Sequence, residues 1–148
     1  MLLVPVGVDV SMSRWPWMNW VIMAGTVFAF FACWDGDEPT DFLMQCIAGG
    51  PHWIGHLLHP LAHFDLMHLI GNMLFLWVFG NAICAKVGNL WFPVVYFGVG
   101  LLASLANAVV SGAAGIVASA AINGIVGIFL VWYALNTVNF FWFFWMRS

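Results

Sequence analysis

One stretch constrains this chain more than any other: HFDLMHLIGNMLFLWVFGNAIC, residues 63–84. About 20 apolar residues at roughly 1.5 Å each cross the hydrocarbon core of a bilayer, and this run has that length. Its first half nevertheless carries His63, Asp65, His68 and Asn72. An unpaired polar group in hydrocarbon costs several kcal/mol, so these residues must face protein or a water-filled cavity. Polar residues inside a span are functional candidates by default. His68 and Asn72 are four apart and project from one helix face. If the stretch is helical from its first residue, Asn72 lies roughly 13 Å deeper than His63.

The rest of the composition agrees with a membrane chain. Of 148 residues, 64% are hydrophobic and 6% are charged, where a soluble domain carries about a quarter charged residues. The expectation is an all-α, polytopic integral membrane protein forming a single domain over residues 1–148. Three Lys and Arg residues give no basic patch, which excludes a nucleic-acid partner. Cys33, Cys46 and Cys84 form no CxxC pair, so neither metal nor redox chemistry is expected on them.

The chain divides into four full spans and a partial fifth. After a short lead, Pro16 opens an apolar run from Trp17 to Trp34, with tryptophans at both ends suited to the interfaces. Residues 35–62 form a long connection that opens with four of the six acids and holds pieces too short to span. These read as an extracytoplasmic, membrane-embedded loop. The second span ends near Lys86, and Gly88-Asn89 turns the chain. The third runs from Leu90 to about Val110, and the fourth from about Ile116 to Leu135. Val138 to Met146 begins a fifth segment of about nine residues, too short to cross as a helix. The expectation is a domain incomplete at its carboxy terminus. Arg14 before the first span and Lys86 after the second share the cytoplasmic side if the amino terminus is cytoplasmic.

Ser119 falls close to the amino terminus of the fourth span, where free backbone N–H groups and the helix dipole favour negative charge. Acyl transfer needs such a place for its oxyanion, and donors from His63 or Asn72 could add to it. Plainer readings stand beside this one. A serine in a transmembrane helix often bonds back to its own backbone, and His68 and Asn72 also suit interhelical bonding. Ala120, Gly124 and Gly127 give the fourth span a small-residue face for close helix approach. A second constellation, His52, His56, His59 and His63, would put four imidazoles on one face and hold a metal or haem if 52–63 were a single helix. Pro60 disfavours that helix.

The run His63-x4-His68-x3-Asn72-Met73-Leu74, continuing through Phe79-Gly80, resembles the second span of rhomboid intramembrane serine proteases. The lead VPVGVDVSMSRWPWMNW is similar to the start of bacterial members that lack a large soluble domain. A Gly-Asn turn, a third span with Tyr96 and the segment ASAAINGIVG follow in the family's order. The resemblance implies a rhomboid-like helical bundle in a bacterial inner membrane with its amino terminus cytoplasmic. It implies acyl transfer on transmembrane protein substrates within the lipid bilayer, without a cofactor or metal. Ser119 matches the nucleophile, His63 and Asn72 the oxyanion-stabilising side chains, and His68 a supporting residue.

Departures from the family pattern are specific. Val117 and Ala120 stand where the family has glycines around the nucleophile, and Cys84 stands where an acid is common. The family's general base is a histidine on a sixth span, and no histidine follows His68 here. The expectation is therefore a rhomboid-type serine endopeptidase whose 148 residues alone are inactive. The alternatives are a catalytically dead relative that binds transmembrane segments, or a histidine-based metal or haem protein.

Overall fold

The computed structural model describes residues 2–32, 61, 63, 65–111 and 118–143. Four helices and two strands make up the described chain. Strand β1 (Leu2–Val8) is followed by helix α1 (Trp17–Ala32), helix α2 (Leu66–Val87), helix α3 (Phe92–Ser111), helix α4 (Ala118–Trp132) and strand β2 (Val138–Phe143). Among the described residues α2 is the helix long and apolar enough to cross a membrane by itself, and α1 is a shorter apolar helix. The loop expected over 35–62 lies outside the described residues except for Leu61, as do Cys33 and Cys46.

Each helix buries one face and leaves a second apolar face open. In α1 the buried positions are Asn19, Ile22, Thr26 and Phe30, a spacing of three and four that makes one stripe. Val21, Phe28 and Phe31 on the same helix are exposed, as are Ile70 and Trp77 of α2, Val94 and Val109 of α3, and Val131 of α4. A soluble monomer does not leave so much large apolar surface open; lipid is the solvent that suits it.

The core lies where the helices meet: Ile22 from α1, Leu76, Phe79 and Ile83 from α2, Phe92 and Tyr96 from α3, and Ala121, Ile125 and Phe129 from α4. Phe79 and Phe129 meet edge to face, with ring centroids 4.9 Å apart. The small-residue face of α4 is used in part. A Cβ at Gly124 would collide with the Val99 side chain, so α3 and α4 approach closely only because that position is glycine. Gly127 has open space beside it.

The expectation of an all-α chain with a partial fifth span is corrected by the two strands. Residues 138–143 pair antiparallel with the lead, from Leu2↔Phe143 to Val8↔Val138, with an irregularity between Pro5 and Gly7. The physical reason lies in composition. VNFFWF and LLVPVGV are aromatic and β-branched, which suits a pleated ladder better than a helix too short to span. Pro5 has no N–H to donate and sits at the irregularity, as proline in strands does. An isolated two-stranded sheet is marginal. This one is supported by Val8, Val10 and Val138 packing on the helical core.

At one end of the bundle the turns lock together. Gly88, at φ +93, ends α2 in a conformation that favours glycine, and its N–H reaches the Cys84 carbonyl at 2.8 Å. The Asn89 carboxamide accepts from the Met18 backbone N–H and donates to the Trp15 carbonyl. Ser13 Oγ donates to the Ala85 carbonyl at 3.0 Å. These bonds set Arg14 and Lys86 at the same end of the molecule.

Gly124→Ala is expected to lose about 1–3 kcal/mol through overpacking against Val99. Gly127→Ala is expected to gain about 0.4–1 kcal/mol, since open space leaves only the conformational benefit. Unfolding of the two variants in detergent micelles measures both.

Candidate active site

Asp65 decides where α2 begins. It sits at the helix N-cap with extended backbone, and its carboxylate accepts the His68 backbone N–H at 2.7 Å. The helix therefore starts at Leu66 and not at His63, and His63 precedes it. The nine-residue separation of His63 and Asn72 is consequently not a straight depth of helix. The two side chains meet: Asn72 Nδ2 and His63 Nε2 are 2.7 Å apart.

Both partners are buried, His63 at 6% and Asn72 at 9% exposure. With the Asn72 amide donating, Nε2 is the bare nitrogen of the imidazole and Nδ1 carries the proton. Nδ1 faces the Leu61 carbonyl at 3.2 Å, an acceptor that fits this tautomer. Burial pushes the His63 imidazole below its ordinary pKa; the Leu61 carbonyl opposes that, and His68 reinforces it. At neutral pH the ring is neutral and both its nitrogens are engaged.

His68 lies beside this pair, its ring centroid 5.6 Å from that of His63, and it is exposed. The first half of α2 packs against α4. Ser119 lies on α4, described over Ala118–Trp132. Its side chain lies outside the described residues, as does Val117. Ala120 is half-buried. His52, His56 and His59 also lie outside the described residues. Among the described residues no group of three His, Cys, Asp or Glu side chains gathers in a way that could hold a metal ion.

The Rhomboid domain model matches residues 50–147, about two thirds of the chain. The chain belongs to the rhomboid family. No curated protein matches it, and no solved structure does. Rhomboid proteins are generally serine-type intramembrane proteases that act on transmembrane substrates in the bilayer, and this chain is accordingly an integral membrane protein of a protease-like family.

Two buried amides escaped the sequence analysis. Asn19 in α1 is fully buried, and its Nδ2 donates to the Leu76 carbonyl and to Asn81 Oδ1, both at 2.8 Å. Asn81 is buried as well. The signal was present: an amide inside an apolar run falls under the same rule that singled out Asn72.

The neutral, acceptor form of His63 carries a pH signature. Its folded pKa lies below the unfolded value of about 6.5, so its contribution to stability is complete above that pH and is lost as the pH falls through it. Melting temperature in micelles is expected to drop from pH 8 to pH 5, with a shallower drop in His63→Gln. Identical slopes would show that this contact does not contribute.

Proposed function

We propose that this rhomboid protein is built for serine-type endoproteolysis of transmembrane segments, with Ser119 as nucleophile and the His63–Asn72 pair on the oxyanion side. The observation that carries the reading is the buried 2.7 Å contact between those two side chains at the start of α2, on a helix that packs against the one carrying Ser119. In this reading Ser119 Oγ attacks the scissile carbonyl as a base takes its proton. The carbonyl oxygen, now negative, draws on α4 backbone N–H groups and the amide of Asn72. Collapse of the tetrahedral intermediate releases the amine with a returned proton, and water then hydrolyses the acyl-enzyme.

His63 serves first by holding Asn72. Its bare Nε2 accepts from the amide, so it becomes a donor toward the oxyanion only when that nitrogen carries a proton. His68, exposed beside the pair, is the supporting residue. Residues 1–148 act as one transmembrane domain, with 35–62 as its extracytoplasmic loop. The shared end of Arg14 and Lys86 supports a cytoplasmic amino terminus, in a bacterial plasma membrane.

The base is what these residues do not supply. No histidine follows His68, and His63 is engaged at both ring nitrogens. A serine without a positioned base is a poor nucleophile. These 148 residues alone are therefore expected to cleave a transmembrane substrate about 10⁴-fold or more slowly than a protein that carries the family's later histidine. Val117 and Ala120, in place of family glycines, favour a second reading, a non-catalytic binder of transmembrane segments.

A serine-reactive fluorophosphonate separates the readings. Applied to a form of this protein carrying the later histidine, it is expected to label the parent and to lose labelling in Ser119→Ala. Equal labelling of both would reject Ser119 as nucleophile, and no labelling of either would favour the binder.

A further inference from the structure

Helix α2 is not regular. Between Leu66–Phe75 and Asn81–Val87, residues Leu76–Gly80 form a π turn. The Asn81 backbone N–H bonds to the Leu76 carbonyl, five residues back, where an α-helix would bond four back. Such a turn accommodates one extra residue, is rare, and is found frequently at functional sites.

Asn19 of α1 brackets this turn. Its amide nitrogen donates to the carbonyl of Leu76, the first residue of the turn, and to the side-chain oxygen of Asn81, the residue just after it. Gly80 makes room: a Cβ there would lie 2.7 Å from Asn19 Oδ1. Among the described residues that oxygen, which is buried, has no hydrogen-bond partner, so what this side chain contributes there is its N–H donors. From Leu76 the bonding continues toward the site. The Leu76 N–H reaches the Asn72 carbonyl, Asn72 Nδ2 reaches His63 Nε2, and His63 Nδ1 faces Leu61.

Each helical residue turns the chain by about 100°. The second half of α2 is fixed, because Asn81, Ala82, Ile83, Cys84 and Ala85 are all buried. If the wide turn tightened to α spacing, the extra residue would have to be absorbed by rotating the first half about 100° around the helix axis. Asn72 would then leave His63.

We propose that Asn19 is a positioning residue for the His63–Asn72 pair: by holding the π turn at Leu76–Gly80 it sets the rotation of the first half of α2 and aims Asn72 at His63. The catalytic meaning of this role rests on the proposed function; the geometric claim stands apart from it.

The test is nitrogen NMR of the full chain, ¹⁵N-labelled at histidine, in lipid nanodiscs at pH 8. The His63 signal is identified by its absence in His63→Gln. The parent is expected to show Nδ1 protonated and Nε2 accepting a hydrogen bond. Asn19→Ala is expected to lose the accepting signature, and so is Asn19→Asp, which keeps the shape without the N–H donors. Deleting Trp77, the exposed residue of the turn, from Asn19→Ala brings Leu76 and Asn81 to four-residue spacing. A regular α-helix then restores both faces, and the parent signature is expected to return.

An unchanged signature in Asn19→Ala overturns the proposal. So does failure of the Trp77 deletion to restore it, whether the double variant folds or not. If Asn19→Ala alone does not fold, the double variant decides: folding with the parent signature supports the proposal. None of these readings depends on Ser119, so rejection of Ser119 as nucleophile would leave them intact.

Discussion

Inside a bilayer a backbone carbonyl has no water to turn to, and an irregular helix must find its partners within the protein. The carbonyl of Leu76 has two: the Asn81 N–H across the wide turn and the amide of Asn19 from the neighbouring helix. Interhelical hydrogen bonds in membranes average about 0.6 kcal/mol and reach about 1.7, which is modest. Their effect here is on register more than on net stability. A π turn left without this amide would have little to favour it over ordinary α spacing, and the buried half of α2 fixes which side must move.

The same economy of donors shapes the candidate site. Asp65 ends the helix where His63 would otherwise continue it, so an imidazole outside α2 can reach an amide inside it. Burial keeps that imidazole neutral, and neutrality makes it an acceptor. The pair is therefore closed on itself at rest. A reaction that builds negative charge nearby would find amide N–H from Asn72 at once, and a donor from His63 only after a proton shift.

Much of this was legible in the sequence. Charge scarcity and apolar run length gave the membrane class, and three polar residues in one run carried the resemblance that the family match bears out. The Gly88 turn and the close approach at Gly124 follow from residue type. Other features depend on contacts between distant residues. Strand pairing joins positions 2–8 to 138–143, and no local pattern in either segment names its partner. The His63–Asn72 contact requires knowing that Asp65 caps the helix, although an aspartate three residues before His68 was a readable cap signal. The π turn has no signature in its own five residues; it becomes intelligible only once Asn19 is seen against Gly80. The small-residue face illustrates the limit in miniature: Gly124 is filled by Val99, and Gly127 is not filled.

The most direct measurement is a double-mutant cycle between Asn19 and Asn72, read as unfolding free energy in micelles for Asn19→Ala, Asn72→Ala and the pair. The two side chains do not bond to each other, so a merely local role for each would make their effects additive. If Asn19 acts by aiming Asn72 at His63, losing Asn72 costs little once Asn19 is gone, and a coupling of about 0.5 kcal/mol or more is predicted. Additive losses would contradict the account.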